Sequence, residues 1–263
     1  MLEVENLCFS YTKKPLLQDI SFALNPSRVI CVLGENGSGK STLFRCLLGL
    51  LRPQVGNIRY GGRDIRTLSA VDLSGLVAYI PQSHTPMFDY AVEDVILMGA
   101  AAKIGLFRAP NEGHRKQAVH IMENLGIRHL AQRGYSRISG GERQLVLIAR
   151  ALMSDARILL MDEPTANLDY GNQRRILRTI LQLGERGYSV MVSLHDPQLV
   201  LDMDSDSLLL HHGRILDIGA TSRVVTAAGL SQIYRYPVEI EEIEREGKRR
   251  RLCFAEINHV CVE

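Results

Sequence analysis

A glycine-rich run near the start of the sequence has the residue types needed to hold phosphate groups. The run from Gly34 to Ser41 reads GENGSGKS and fits the pattern G-x-x-x-x-G-K-[ST], between an apolar stretch and a predicted helix. Glycines let backbone N–H groups curl around phosphate oxygens, and the helix N-terminus adds a partial positive charge. Lys40 can reach the β- and γ-phosphates, and the Ser41 hydroxyl can ligate Mg²⁺. The run therefore predicts a nucleotide-binding loop. Its predicted contact residues are Gly34, Glu35, Asn36, Gly37, Ser38, Gly39, Lys40, Ser41 and Thr42.

Two adjacent carboxylates, Asp162 and Glu163, follow an apolar run that starts at Ile158 and has the pattern of a buried strand. An aspartate at the C-terminal end of a strand beside such a loop can hold magnesium through water. The neighbouring glutamate is then placed to orient and deprotonate an attacking water molecule. A solvated acidic pair at a strand end is the alternative. Together with the loop, the pair predicts Asp162 as a metal-binding residue and Glu163 as the catalytic base.

A third group of candidate residues opens a helix in the second half of the chain. Residues 138–144 read ISGGERQ, and the helix is predicted to continue to about Met153. Ser139 is of the residue type preferred at helix N-caps. Gly140 and Gly141 leave the helix end bare, so that an anion can approach it closely. These residues are therefore candidates for a further phosphate contact.

A parallel α/β core is expected to position these groups. Residues 29–33 form a continuous apolar run, as expected for a strand buried on both faces, and a helix is predicted from Lys40 to about Leu51. Later elements alternate in type: a strand over 158–161, a helix over 173–184 and a strand over 190–192. Alternation of this kind predicts a mostly parallel sheet with helices on both faces.

The remaining regions have simpler patterns. Alternating apolar residues within 2–24 predict short strands, and apolar residues at helical spacing within 118–125, followed by Gly126, predict a helix that ends there. In the tail, residues 237–263 have the pattern of a terminal β-hairpin extension. Its charged clusters are expected to be solvated; the alternative is contact of the basic run 248–251 with anionic lipid or a membrane partner.

Composition sets the broad class. The chain has 263 residues, of which 46% are hydrophobic and 23% charged, an ordinary globular mixture, and a net charge of +2 that gives no reason to expect nucleic-acid binding. We expect no targeting signal and no membrane span. The five cysteines, Cys8, Cys31, Cys46, Cys253 and Cys261, show no C-x-x-C pairing and are expected to be reduced thiols. The adjacent His211 and His212 precede Gly213 in a predicted turn, where the sequence alone gives little reason to expect a metal.

The loop, the Ser-Gly-Gly helix and the Asp-Glu strand, in this order, resemble the ATP-binding cassette (ABC) family over residues 2–230. The resemblance implies a P-loop NTPase core in a domain spanning 1–236, with an N-terminal antiparallel β subdomain and a helical subdomain at about 83–155. In that family the Ser-Gly-Gly helix caps the γ-phosphate of a nucleotide held by the opposite subunit. Ser139, Gly140 and Gly141 are therefore expected to contact ATP across a head-to-tail homodimer.

The resemblance also implies roles for single residues. Tyr11 stands where the family stacks an aromatic ring on adenine, although a tyrosine in a strand is a common alternative. Gln82 matches the glutamine that senses the magnesium site and links it to the transmembrane partner. Asp169 matches the acidic anchor of a loop, here residues 165–169, that crosses the dimer interface. His195 matches the histidine that contacts the γ-phosphate. The implied catalytic set is Glu163, His195, Lys40 and Gln82, with Ser41, Gln82 and Asp162 at the metal.

One position departs from the family pattern. The commonest family signature is Leu-Ser-Gly-Gly-Gln, whereas this chain has Ile138 and Glu142. Glutamate occurs as a variant in importer ATPases, and Arg143 is expected to offset its negative charge.

The absence of fused membrane segments resembles importer ATPases more than exporters. Residues 92–99 and 139–152 resemble ATPases of iron–siderophore, haem, cobalamin and molybdate uptake, with iron–siderophore or a related metal chelate ranked first and molybdate or tungstate second. The resemblance implies a polytopic permease docking near Gln82, with the insert 100–110 as a variable docking surface. It also implies an indirect partner that binds the substrate, and a place at the cytoplasmic face of the membrane. The rivals are a non-transport ABC ATPase and a P-loop kinase, and the kinase would lack the Ser-Gly-Gly helix and His195.

Overall fold

Three sheets form the framework of the computed structural model within the residues that it describes, which are 1–82, 88–104, 109–245 and 247–255. The strands are β1 Leu2–Phe9, β2 Leu17–Leu24, β3 Val29–Leu33, β4 Val55–Tyr60, β5 Arg63–Asp64, β6 Val77–Ile80, β7 Ile158–Asp162, β8 Ser189–Leu194, β9 Asp206–His211, β10 Arg214–Ala220, β11 Glu239–Arg245 and β12 Lys248–Phe254. The helices are α1 Lys40–Leu47, α2 Ala70–Ser74, α3 Val92–Leu97, α4 Ala101–Ile104, α5 Glu112–Asn124, α6 Gly140–Leu152, α7 Tyr170–Glu185, α8 Pro197–Met203, α9 Thr221–Val224 and α10 Ala227–Tyr234.

The central sheet has the strand order β10-β9-β3-β8-β7-β6, and only β10 runs antiparallel to its neighbour. Every residue of β3, β7 and β8 is buried. Because helices cover both faces of such a sheet, its strands are apolar throughout rather than alternating. The parallel α/β core predicted from the sequence is confirmed, and the carboxyl ends of β3, β6, β7 and β8 lie along one edge.

A second, antiparallel sheet of order β2-β1-β4-β5 packs against this core. Strand β2 alternates between buried and exposed residues over most of its length, as expected for a sheet with one face in contact with a core. The buried side is shared with Leu43, Phe44 and Leu47 of α1 and with the near face of the central sheet. The predicted antiparallel β subdomain is thus present, and it fixes α1 beneath the glycine-rich loop.

Helices α3, α5 and α6 belong to the other large cluster of buried apolar residues, together with α7 and the far face of the sheet. The helix predicted to stop at Gly126 ends at Asn124, and Gly126 takes a left-handed backbone with φ +67°. Residues 83–87, at the start of the predicted helical subdomain, and residues 105–108 of the predicted docking insert lie outside the described residues.

Two helix boundaries differ from the sequence prediction. Helix α1 ends at Leu47, not near Leu51, because the chain reverses at Gly49, whose φ is +69° and whose N–H donates to the Cys46 carbonyl. Helix α7 begins earlier than predicted, at Tyr170, because the Asp169 side chain caps it. Within the described chain, no helix combines the length and apolar character that a membrane span requires.

The predicted terminal hairpin is formed by β11 and β12, paired in register from Glu239 with Phe254 to Arg245 with Lys248. It is attached to the core, since Cys253 donates its N–H to the Gln198 side chain of α8. The expectation that its basic run is solvated is wrong for Arg251, whose guanidinium donates to backbone carbonyls of the α9 region. The four cysteines of the described chain are free thiols, and Cys261 lies outside it.

Candidate active site

The loop between β3 and α1 has the backbone of a phosphate cradle. Gly37 and Gly39 have φ values of +82° and +108°, which an L side chain rarely adopts. A side chain at Gly34 would place its Cβ 2.3 Å from the Leu210 carbonyl oxygen, so the loop rests directly on the end of β9. These positions require glycine for conformation and close approach, as in loops whose backbone N–H groups bind phosphate.

Lys40 is the buried cation of this loop, with 5% of its surface exposed. Its ammonium donates to the backbone carbonyls of Gly34, at 2.7 Å, and Glu35, at 3.2 Å. Burial lowers the pKa of Lys40, and the carboxylates of Glu163, Asp162 and Glu35 oppose that effect. A buried ammonium with a spare donor suits an anionic ligand, because a phosphate compensates the lost hydration of the charge.

One hydroxyl of the loop has no hydrogen-bond partner in the described chain, and the cleft beside the loop has room for a phosphate. The Ser38 hydroxyl is buried and has no hydrogen-bond partner among the described residues. A cleft of about 270 Å³ opens beside it. Its lining residues are Leu16, Asn36, Gly37, Gly39, Lys40, Ser41, Thr42 and Glu163. Six of the nine predicted loop residues therefore line one cleft together with the predicted catalytic base, and the donor set fits a nucleotide phosphate.

Asp162 and Glu163 are both hydrogen-bonded to a residue that was not predicted from the sequence. Ser193 of β8 is fully buried, and its hydroxyl donates to Asp162 Oδ1 at 2.6 Å. The same hydroxyl accepts the Glu163 N–H at 2.9 Å. Glu163 needs this bond, because its φ of +44° is unfavourable for a residue with a side chain. The available signal was a serine in the otherwise apolar end of β8, at the register position opposite Asp162.

Three predicted catalytic residues converge on the carboxylate of the fourth, Glu163. Gln82 Nε2 donates to Oε2 at 3.3 Å, and His195 Nδ1 lies 3.5 Å from the same oxygen. Lys40 Nζ is 3.9 Å from Oε1. Gln82, Glu163 and His195 follow β6, β7 and β8, which are neighbours in the sheet, so the topology brings together groups far apart in sequence. The arrangement can polarise and deprotonate a water molecule placed between the carboxylate and the loop.

The predicted metal ligands are oxygen donors at the same edge. Ser41 is exposed and lines the cleft, and Asp162 is 7% exposed with Tyr79 donating to its Oδ2 at 3.4 Å. A hydroxyl, a carboxylate and the amide oxygen of Gln82 are the hard donors that Mg²⁺ prefers, in small number beside a phosphate site. The residues therefore fit magnesium.

Tyr11 lies apart from this cluster. Its ring is 56% exposed, stands edge-on to Phe9 with centroids 4.9 Å apart, and its hydroxyl accepts from Arg45 at 3.5 Å. Tyr11 is not among the residues that line the cleft in the described chain. An exposed aromatic face is what adenine stacking needs, and that role stays a prediction.

The Ser-Gly-Gly helix starts as predicted, with Ser139 as N-cap. Glu142 completes a reciprocal capping box, since its carboxylate accepts the Ser139 N–H at 2.8 Å. These capping bonds, rather than Arg143, lower the pKa of Glu142, and the smaller charge contributions come from Arg133 and His129. Arg143 instead donates to the Ile138 carbonyl. The variant residue therefore has a structural use at this helix end, and the expected offset by Arg143 is wrong.

The expectation that both glycines leave the helix end bare needs a correction. A Cβ on Gly141 would lie 2.4 Å from the Asn172 side chain of α7. Asn172 is itself fixed by Asp169, whose carboxylate accepts its backbone N–H at 2.8 Å and its amide at 2.7 Å. Gly141 is therefore needed for packing, while Ser139 and Gly140 are exposed. In the described chain none of the three glycine or serine residues lines the cleft, and contact of Asp169 with nucleotide stays a prediction.

A glycine loop between β3 and α1, a buried lysine and an Asp-Glu pair at the adjoining strand end define a P-loop nucleoside triphosphatase. The sequence matches the ABC transporter family (ABC_tran) over residues 17–166. The chain belongs to this family and is an ABC-type ATPase, as its Ser-Gly-Gly helix indicates.

Relatives and solved structures agree with the fold. The chain is similar to the probable iron chelatin transport ATP-binding protein of Helicobacter pylori, with 38% identity over 241 residues, covering 91% of this chain and 94% of the relative. It is also similar to the molybdate import ATP-binding protein MolC of Haemophilus influenzae, with 34% identity over 239 residues, covering 90% and 89%. A solved ABC transporter described as of the metal-chelate type, in an inward-facing conformation, superposes with a TM-score of 0.87 at 32% identity and covers 97% of both chains. The predicted fold class is confirmed.

Proposed function

We propose that the chain is the ATP-hydrolysing subunit of an importer and works as a head-to-tail homodimer. The main support for a dimer is the position of Ser139 and Gly140. Both residues are exposed, and neither lines the cleft that contains Lys40 and Glu163. In a symmetric pair each copy would present this helix N-terminus to the nucleotide on the other copy, so both sites close together. ATP binding energy then becomes association energy.

In the proposed reaction the chain's own groups divide the work. Lys40 and the N–H groups of the loop bind and orient the phosphates. Ser41, Asp162 and Gln82 would hold Mg²⁺, which would supply positive charge to the phosphates. Glu163 takes a proton from the attacking water, held in position by the Gln82 amide. His195 contacts the transferred phosphate and restrains the Glu163 carboxylate. The individual roles rest on the resemblance to the family, and the approach of Gln82, His195 and Lys40 to the Glu163 carboxylate supports them.

We propose that the transmembrane partner is a separate polytopic permease and that the chain binds it at the cytoplasmic face of a membrane. Support comes from exposed apolar residues that follow Gln82 in the sequence: Phe88 is 66% exposed and Tyr90 42%, with ring centroids 6.0 Å apart, and Met98 is 45% exposed. Large apolar side chains left exposed together mark a docking surface. A substrate-binding protein would act on the permease and not on this chain.

For the cargo we propose a metal chelate such as iron–siderophore, and molybdate or tungstate as the second candidate. The support is similarity alone: one relative is named for iron chelatin transport, one for molybdate import, and the similar solved transporter is described as of the metal-chelate type. The nucleotide site is not expected to contact the transported substrate, because the permease and its binding protein select it. A non-transport ABC ATPase is the rival class.

The proposed chemistry is tested by steady-state ATPase beside nucleotide affinity in Lys40→Ala, Glu163→Gln and His195→Ala. Lys40→Ala should lose affinity, since it removes the buried phosphate ligand. Glu163→Gln should keep affinity and lose about 10² to 10⁴ in rate, as expected on loss of a general base. His195→Ala should slow turnover without abolishing nucleotide binding. His120→Ala, an exposed histidine on α5, is the matched control and should be unchanged. Near-normal hydrolysis by Glu163→Gln contradicts the assignment of the base.

The transport assignment is tested separately, by co-expressing the chain with candidate polytopic permeases from its source organism. Co-purification, stimulation of the ATPase by the permease in liposomes, and ATP-dependent uptake of radiolabelled iron–siderophore support it. Lys40→Ala with the same permease is the control for leak. Uptake of molybdate in preference to the chelate moves the cargo to the second candidate, and the absence of any permease complex favours the non-transport rival.

A further inference from the structure

Two histidines and one carboxylate meet beside the phosphate loop. His211 ends β9, and His212 occupies the following turn with a left-handed φ of +47°. Both Nδ1 atoms lie 3.5 Å from the same oxygen of Glu35, Oε1. One ligand atom from each residue lies within 4.8 Å of the other two. A metal at the histidine pair was not expected from the sequence, because Glu35 is 176 residues before His211 and is brought here only by the pairing of β3 with β9.

His211 has a ring nitrogen that the protein leaves unsatisfied. Its side chain is 11% exposed, and Nδ1 is buried without a hydrogen-bond partner among the described residues. The 3.5 Å gap to Glu35 is longer than the roughly 2.7–2.9 Å of a charge-assisted hydrogen bond. Burial lowers the pKa of His211, the neighbouring His212 and Arg235 add to this effect, and Glu35 opposes it. An unsatisfied buried nitrogen aimed at a carboxylate indicates a bound ion or water.

We propose that Glu35, His211 and His212 form a site for a borderline divalent transition-metal ion, of which Zn²⁺ is the test case. Imidazole and carboxylate donors suit such ions rather than Mg²⁺. With metal–nitrogen distances of about 2.1 Å, ligand atoms around a tetrahedral ion lie about 3.4 Å apart. The observed 3.5 Å separations from Glu35 to each ring nitrogen already approach this spacing. Three protein ligands leave a position for water.

One cation competes with the metal. Arg235 donates to Nε2 of His212 at 2.9 Å, and its charge faces the cluster from the end of α10. Metal ligation through Nδ1 puts the proton of His212 on Nε2, where it opposes the arginine donor. Arg235 is exposed and can turn into solvent. Removing Arg235 should therefore tighten metal binding. If the three residues formed only an ion-pair network, removing Arg235 would take away a stabilising partner and would not tighten metal binding.

The cluster is joined to the nucleotide cleft on two sides. Glu35 carries the backbone carbonyl that accepts from Lys40 and from the Ser38 N–H. The turn residue Gly213 packs against Leu16, where a Cβ would lie 1.8 Å from the Leu16 carbonyl oxygen, and Leu16 lines the cleft. A bound divalent ion replaces the negative charge of Glu35 by a net positive charge near the phosphates. It should therefore tighten nucleotide binding, and nucleotide should tighten metal binding by the same factor.

The metal site is tested on the chelator-stripped, nucleotide-free chain. Zn²⁺ is titrated by calorimetry, and Co²⁺ by the visible absorption that reports its ligands. We expect one site per chain, binding at least tenfold weaker in His212→Gln and several-fold tighter in Arg235→Gln. His120→Gln, which removes an exposed histidine elsewhere, should bind as wild type. Equal Zn²⁺ affinity in wild type and His212→Gln, or weaker affinity in Arg235→Gln, overturns the proposal.

The coupling is tested by the affinity for a fluorescent ADP analogue with and without Zn²⁺, in wild type and His212→Gln. Zn²⁺ also binds phosphate in solution, so the difference between the two proteins isolates the site. A several-fold gain confined to wild type is expected, and an equal response in both proteins overturns the coupling. No arm measures hydrolysis or transport, so failure here leaves the proposed ATPase role untouched.

Discussion

Replacing Ser193 by alanine removes the hydroxyl that connects the Asp162 carboxylate to the Glu163 backbone. The change deletes a 2.6 Å bond to Asp162 and a 2.9 Å bond from the Glu163 N–H. It leaves the surrounding β8 packing intact, since alanine keeps the Cβ. The substitution therefore isolates the positioning of Asp162 and Glu163 from the rest of the core.

The size of the effect follows from these two bonds. A hydrogen bond to a charged group contributes about 1.5–3 kcal/mol and a neutral one about 1 kcal/mol, so the free energy of unfolding should fall by roughly 2–4 kcal/mol. The left-handed conformation of Glu163 costs about 1–3 kcal/mol, comparable to the bond that holds it. Without Ser193 the Glu163 backbone can relax, and a displacement of about 1 Å at a reacting group lowers the rate by roughly 10²-fold.

Ser207→Ala is the matched control, because Ser207 of β9 is also fully buried and its hydroxyl shares a 2.6 Å hydrogen bond with Thr221 of α9, and neither residue lines the cleft. Urea unfolding and steady-state ATPase at saturating ATP are measured for both variants. Both should lose stability, and only Ser193→Ala should lose turnover while keeping nucleotide affinity. Equal turnover in the two variants would refute the positioning role of Ser193.

Three further changes test separate parts of the structure. Gly141→Ala drives a Cβ to 2.4 Å from the Asn172 side chain, so the thermal midpoint should fall with a loss of about 1–3 kcal/mol; an unchanged midpoint contradicts the packing. Capping hydrogen bonds hold the pKa of Glu142 below its unfolded value, so their stabilisation is present above the unfolded pKa and is lost as pH falls through the folded pKa. Glu142→Gln removes this pH-dependent stabilisation, so its urea midpoint should fall less than that of wild type between about pH 6 and about pH 3. An equal fall in both proteins contradicts the capping bonds as the source of the pH dependence. Arg251→Ala should cost about 1–3 kcal/mol because two of its carbonyl partners lose their donor, whereas its neighbour Arg250→Ala should stay within about 0.5 kcal/mol; similar losses contradict the attachment of the hairpin through Arg251.

Local sequence patterns were sufficient for the framework of the site. The strand, loop and helix around Lys40 are specified by an apolar run, glycines and a helix start within a few residues of one another. The convergence of Gln82, Glu163 and His195 was also predictable, because each follows a strand of one parallel sheet. Resemblance to a family supplied the individual roles, and the order of the strands supplied the shared edge.

The parts that were not predicted depend on contacts between distant segments. Ser193 acts through its register partner on β7, and a buried serine has no local signature of that role. Gly141 is explained by Asn172 on another helix, not by the bare helix end expected from its neighbours. Glu35 meets the histidine pair only after β3 and β9 are aligned. Each case requires knowing which side chain lies across a packed interface, and periodicity does not give that.

In the proposed cycle ATP joins two copies through sites completed by the opposing Ser139 helix, and hydrolysis by Glu163 then separates them. Sedimentation velocity of Glu163→Gln, with Mg²⁺ and with or without ATP, tests this cycle. We expect monomers without nucleotide and a stable dimer with ATP, and monomers when Lys40→Ala is added to the same protein. Bound ATP without a dimer, or a dimer that forms equally well without ATP, would contradict it.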